Sequence, residues 1–505
     1  EGSVLYLPKF NMSALAITFC FVIYLGVLVI VSKTVSKDSS NAQFFAANKN
    51  APWYLVAFGM IGATLSGVTF ISVPGWVGAT QLSYIQMVIG YAFGYLLIAT
   101  ILLPLYYKWN VVSIYTYFKH RFGVYSYKTG ASFFIISRLT GTSFRLFLVL
   151  KVLHWIALDG LNIPFWVSAA AALFGIWLYT RKTGIKTLIY TDTIQTFCML
   201  IALGISFYVL YHELNLNAEI WSVWWGKQPT TQIVFWEDWG SGQHLVKQFL
   251  AGVLIAFAMT GMDQEMMQKN ISCRTLKASQ KNMFWFTIVL VLVTIAFLIL
   301  GVLLSAYATT NGITVTGDDL FPVIATQSAL GPLIGYAFVI GLIAAAFSSA
   351  DSSMTSLTTS LSVDLWNILD SKDGVKQRKK IHRITAIVLW ICVMSFYYLI
   401  ENESVIAQLL LFAGYTYGPL LGLFLLGIFT KISLRDQWVP YICLAAPILT
   451  FYIAATSKAK FGFDFGFFVL ALNGALSGML LWLSGLGLPV NQSTTPSKTT
   501  TESSK

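Results

Sequence analysis

Residues 341–360, GLIAAAFSSADSSMTSLTTS, begin as an apolar run and then turn into hydroxyls, with one carboxylate, Asp351, among them. Ala345, Ser348, Ser349 and Ser352 are spaced i, i+3, i+4, i+7 and so share one face of a helix. That face offers small side chains and neutral oxygen lone pairs. It suits a loosely held monovalent cation, and equally a hydrogen-bonded contact between membrane helices, where small and hydroxyl residues collect. A second stretch, 53–75, carries Gly59, Gly62, Ser66 and Gly67 in mid-span, and Pro74 with Gly75 read as its end. A helix broken near Leu65 to Gly67 frees the carbonyls of Gly62 and Leu65. Such backbone is tolerated at membrane depth only where it lines a cavity or is buried in protein. Broken helices hold ions or substrate in secondary transporters; close packing through glycine is the alternative.

A third candidate is Asp192, in YTDTIQTF, inside another apolar run. An ionisable group at that depth is a functional candidate by default. For Asp192, as for Asp351, the alternative is an ion pair with Arg138, Arg145 or Lys151, which share one neighbouring span. Arg138 and Arg145 are seven apart and so lie on one helix face. Each guanidinium needs an anion, either a solute carboxylate or one of these aspartates. The structural pair is the weightier reading, because buried membrane ions mostly pair with one another.

The elements that must position these residues are membrane helices. Of 505 residues, 56% are hydrophobic and only 10% charged, against about 25% charged in an average soluble protein. Apolar runs long enough to cross a bilayer recur along the chain, which is an all-α polytopic pattern. The runs are too long and too continuous for a β-barrel. Thirteen spans are expected: about 13–32, 53–74, 84–107, 126–155, 162–180, 185–211, 244–268, 282–308, 333–368, 383–400, 404–429, 438–456 and 463–486. The span 333–368 is expected to break or bend at its hydroxyls. They form one transmembrane domain, 13–487, between an extracellular segment 1–12 and a disordered cytoplasmic tail 488–505 rich in Ser, Thr and Lys. The first residues have no basic region or cleavage site of a signal peptide, and Met12 reads as a natural start.

The net charge of +11 follows from the positive-inside rule rather than from nucleic acid. One set of loops carries 24 Lys and Arg, Lys269 among them, and the other five. This puts the N-terminus outside and the C-terminus in the cytoplasm. Residues 212–243, with five tryptophans, read as an outer cap, and 108–124 as a basic amphipathic segment at the inner surface. Five scattered cysteines make no metal or disulfide pattern. Of five histidines only His154 falls within an expected span, and no HExxH or GxSxG occurs, so the chain does not read as an enzyme. No repeated filter sequence suggests a channel, and no soluble signalling domain suggests a sensor.

Taken together these stretches resemble the sodium/solute symporter family. LSGVTFISVPG is similar to its first core helix, KTGIKTLIYTDTIQ to its fifth, GMDQEMMQK to the inner end of its sixth and GPLLGLFLLGIFTK to its tenth. Residues 317–366, from GDDLFP through AAAFSSADSS to VDLW, resemble an outer loop and the eighth core helix. The resemblance runs over nearly all of 13–486. It implies a LeuT-type fold of two inverted five-helix repeats, about 53–211 and 244–429, with one extra helix before and two after. It further implies a sodium between the first and eighth core helices, held by the carbonyls of Gly62, Leu65 and Ala345 and the hydroxyls of Ser348 and Ser349. Some members hold a second sodium at an aspartate of the fifth core helix. Here that is Asp192, with Ser348, Ser352 and Asp351 beside it. Asp351 departs from the family, which has a hydroxyl or small residue there. The second site is then strengthened, replaced by a proton site, or used up by an arginine pair.

The glucose-type pocket of the family is not supported, since the corresponding positions are Thr69, Ala256, Met259 and Thr260. Helix position makes Thr69, Phe70, Gln86, Arg145, Thr260 and Phe412 the candidate solute residues. The function expected is sodium-coupled import of a small polar organic solute, such as a sugar, a sugar acid like sialic acid, or a monocarboxylate. It would proceed by alternating access, in a monomer in the plasma membrane. Proton-coupled transport and a transport-inactive sensor of the same fold are the alternatives.

Overall fold

The computed structural model describes residues 14–35, 40–158, 162–182, 184–327, 329–368, 371–399 and 405–489. The segment 1–12 and all but the first two residues of the tail 488–505 lie outside them. The described architecture is helical throughout. Thirteen segments match the expected spans: α1 Ala14–Val35; α2 Trp53–Thr64 with Gly67–Thr80; α3 Tyr84–Lys108; α4 Val124–Ala157; α5 Phe165–Thr180; α6 Ile185–Glu213; and α7 Leu245–Gly261 with Gln264–Ile271. After these come α8 Leu276–Thr310, α9 Pro332–Leu365, α10 Gly374–Leu399, α11 Val405–Phe429, α12 Val439–Phe461 and α13 Val469–Ser484. Ten are single helices long and apolar enough to cross a bilayer, α2 and α7 qualify as bent pairs, and α5 is shorter.

α2 and α7 stand first in two successive groups of five, and both are broken, by 56° and 65°. The contacts are exchanged between the groups. The first part of α7 packs along α3, and the second part of α2 along α8. Likewise α9 packs along α6, and α4 along α11. The first helix of each group thus meets the second of the other, and the third meets the fifth, which is the reciprocal pattern of a pseudo-two-fold repeat.

The breaks have local causes. In α2, Leu65 leaves helical geometry at φ −73°, ψ 73°, and the Ser66 N–H donates to Thr64 O at 2.9 Å. Ser66 is the residue that would have bonded the Gly62 carbonyl in a continuous helix. Gly67 restarts the helix where a Cβ would stand 1.9 Å from Val149 Cγ2, so only glycine lets α2 touch α4 there. In α7, Asp263 is extended and caps the second part, accepting from the N–H groups of Glu265 (2.9 Å) and Met266 (3.3 Å).

Two expectations about helix ends are corrected. Pro74 and Gly75 lie inside the second part of α2, which runs on to Thr80. α9 does not break at its hydroxyls; it is α-helical through Ser360 and ends in a π turn, Leu361–Leu365. Some of its hydroxyls bond carbonyls one turn back, as Thr358 does to Met354 O and Thr359 to Thr355 O, and these need no break. α9 is also the central helix, with 83% of its apolar window buried against 22% for α1 and α12.

Candidate cation and solute site

The hydroxyl face of α9 meets α2 at the break and α6 at Asp192. A Cβ on Gly62 would stand 3.4 Å from Ser348 Oγ, 3.0 Å from Asp192 O and 2.2 Å from Thr196 Oγ1. Gly62 is thus the gap through which the broken backbone of α2 reaches α9 and α6. Ala345, Ser348 and Ser349 are buried on α9. Ser349 Oγ is buried with no hydrogen-bond partner among the described residues. A buried orphan hydroxyl is costly unless something else takes it up. Ser348 Oγ donates to Asp192 Oδ1 at 3.2 Å, which leaves its lone pairs for another partner. Neutral oxygens around a released backbone suit a monovalent cation.

Asp192 is fully buried, and its partner is not one expected from sequence. Lys269 Nζ lies 2.6 Å from Asp192 Oδ2 and 2.9 Å from Ser352 Oγ. Ser352 Oγ also donates to Asp192 Oδ2 at 3.3 Å. Lys269 belongs to the short second part of α7 and is wholly buried, so its assignment to a basic loop is corrected. Asp351 faces away from this cluster's hydrogen bonds, since its Oδ2 accepts from Tyr179 Oη of α5 at 2.6 Å. Neither aspartate pairs with Arg138, Arg145 or Lys151. Lys151 lies over the Phe147 ring. Arg138 pairs with Asp263 and, at 3.2 Å, with Glu265, both on α7. Sequence left these partners unread: the expected span 244–268 ran through Asp263 and Glu265 without pairing them, and its end put Lys269 in the loop beyond. The usable signal was the Asp263 cap followed by four charged or amide residues in GMDQEMMQK.

Around that ion pair one end of the molecule is knitted shut. Tyr417 Oη donates to Asp263, Ser353 Oγ to Glu265 (2.7 Å), and Tyr115 Oη to Met262 O (2.9 Å). Gln264 accepts from Ile114 N and donates to Val112 O, both at 2.9 Å. This is the end carrying most of the basic loops.

Beside the α2 break is a cavity of about 110 Å³ lined from α2, α3, α4, α7, α8 and α11. Thr69, Thr260 and Arg145 line it, together with Tyr84, Tyr91 and Tyr95. The tyrosines are an aromatic wall that sequence did not point to. Among the described residues, no carboxylate lies within ion-pair distance of Arg145. The other expected solute residues stand elsewhere. Phe70 packs in a ring cluster with Phe297, Phe321 and Phe338. Gln86 donates to Ser83 O and Gln243 O and accepts from Phe235 N, tying α3 to the tryptophan loop. Phe412 lies against Phe144. His382, outside the expected spans, is buried in α10 between Thr180 (2.9 Å) and Thr358 (2.8 Å), with both ring nitrogens occupied.

The chain as a whole is similar to known proteins. The sodium:solute symporter family matches residues 44–433. The sodium/sialic acid symporter SiaT of Proteus mirabilis is 24% identical over 90% of this chain and 91% of its own length. The sodium-coupled monocarboxylate transporter 2 of mouse is 22% identical over 81% of this chain and 66% of its own. A solved structure of a Na+-coupled sialic acid symporter, described as substrate-bound and outward-open with a novel Na+-site, superposes with a TM-score of 0.78. It covers 94% of this chain and 99% of the other, at 19% identity.

Proposed function

The chain belongs to the sodium:solute symporter family and is a sodium-coupled symporter of a small organic solute, and on that premise we propose that its solute is a carboxylate held by Arg145. The observation that carries this is the contrast on one helix face. Both arginines line the cavity, but Arg138 is paired with Asp263 and Glu265, while Arg145, two turns on, has no carboxylate within ion-pair distance among the described residues. A guanidinium at membrane depth needs an anion, and a bidentate carboxylate fits it. The relatives named for sialic acid and for monocarboxylates both handle carboxylates. Thr69, Thr260 and the three tyrosines supply hydroxyls for further polar groups of the solute.

Sodium would bind at the α2 break, to the carbonyls of Gly62, Leu65 and Ala345 and the hydroxyls of Ser348 and Ser349. Bound there it ties α2 to α9 and steadies the wall of the adjoining cavity, so ion and solute favour the same state. The repeats, about 53–211 and 244–429, then rock to open the end sealed by Arg138, Asp263 and Glu265. That end is the cytoplasmic one, since moving Lys269 from loop to core leaves the basic bias at 23 to 5. The N-terminus is then outside, the membrane is the plasma membrane, and a monomer suffices, because cavity and ion position form within one chain.

The test is sodium-gradient uptake into liposomes of sialic acid, lactate, butyrate, glucose and myo-inositol. Uptake of an acid without the neutral solutes supports the reading. Uptake of glucose or myo-inositol alone overturns it.

A further inference from the structure

The Asp192 cluster contains the donors that a second sodium would use: one carboxylate and the hydroxyls of Ser348 and Ser352. All three groups are buried, and they converge from α6 and α9. Into their midst α7 delivers the Lys269 ammonium, 2.6 Å from the carboxylate and 2.9 Å from Ser352 Oγ. Those contacts put one positive charge on the oxygens that a cation there would share. An ammonium and a sodium cannot both sit on them: two unit charges 4 Å apart repel by about 4 kcal/mol at an effective dielectric of 20.

The lysine also differs from an ion in being covalently attached. It neutralises Asp192, but it cannot leave on either side of the membrane. It rides on the second part of α7, beyond the 65° break, and joins that part to α6 and α9. Ser348 belongs to both positions. Its proton is directed to Asp192, which turns its lone pairs toward Gly62 and the α2 break.

We propose that the Lys269 ammonium is a built-in cation that fills the second sodium position between Asp192, Ser348 and Ser352, so that this chain binds and moves a single sodium per cycle. The proposal rests on sodium binding at the α2 break. Asp192 is then a fixed counter-ion rather than a transport ligand, and the second part of α7 stays latched to α6 and α9 with or without a transported ion.

The test is equilibrium binding of 22Na+ to the purified full chain in nanodiscs, counted per chain. The wild type is expected to bind one. Two on the wild type overturns the lysine assignment. None overturns the sodium reading of the α2 break on which it rests. Lys269→Ala, which frees the carboxylate and both hydroxyls, is expected to bind two, and Lys269→Ala with Asp192→Asn one. A folded Lys269→Ala chain that still binds one contradicts the proposal, because a merely structural lysine would leave the count unchanged. If Lys269→Ala does not fold, the wild-type count decides alone.

Discussion

The two proposed cation positions lie side by side on α9 and share Ser348, yet they are built in opposite ways. At the α2 break the ligands are neutral: freed carbonyls, a buried hydroxyl without a partner and a second hydroxyl turned by its neighbour. At Asp192 the ligands are charged, and a lysine already matches them. Neutral oxygens hold an ion without trapping it, so it can come and go with each turnover. A buried carboxylate and ammonium hold each other, since separating them leaves two uncompensated charges in a dry interior. One position is suited to transport and the other to architecture. The two arginines of α4 repeat the lesson: Arg138 is paired with α7, and Arg145 is the one proposed to hold the solute.

The comparison breaks most visibly at the charged position. Asp192→Ala strands Lys269 and is expected to cost about 3–5 kcal/mol, read as a fall in thermal midpoint of the purified chain. Adding Lys269→Met should recover most of that loss. If the double variant is no more stable than the single, the two residues are not a pair. At the neutral position, Ser348→Ala with Ser349→Ala should abolish sodium-driven uptake of the transported acid, with the chain still monodisperse; full uptake with unchanged sodium affinity would contradict the placement. Arg145→Ala should weaken solute uptake about 10- to 100-fold, the loss of a hydrogen-bonded charged partner worth about 1.5–3 kcal/mol, with sodium binding retained. Retained uptake would return Arg145 to structure. Smallest is Ser349→Ala alone. Its hydroxyl bonds nothing among the described residues, so stability should not fall and without sodium should rise, while sodium affinity falls. A large loss of stability would show that Ser349 is structural.

Much of this was legible in the sequence. The mid-span glycines allowed two readings, a break at Leu65 to Gly67 or close packing, and the structure shows both, with Gly67 letting α2 touch α4 beside the break. The thirteen spans followed from apolar length, because a bilayer imposes a length that a soluble core does not. The hydroxyl face of α9 followed from helical spacing. What failed did so for physical reasons. Hydropathy marks what lipid would accept, and the second part of α7 never meets lipid. Gln264, Glu265 and Gln268 fell at the inner end of the expected span 244–268, and Lys269 and Asn270 in the loop after it, yet all five are buried in one short helix. With them went the partners of Arg138 and Asp192, the most consequential contacts at the site. Phe70, Gln86 and Phe412 sit in helices near the cavity, but which way a side chain points depends on tertiary packing that spacing within one helix does not carry.

The central claim is that one sodium accompanies one carboxylate. Such a cycle moves no net charge. It is tested most directly by the steady-state accumulation of the transported acid in liposomes, under a fixed sodium gradient, with and without an inside-negative potassium diffusion potential. The account predicts the same accumulation ratio in both. A second sodium would carry one net charge inward and gain about 2.3 kcal/mol per 100 mV, raising accumulation about 50-fold, and a rise of that size would contradict it.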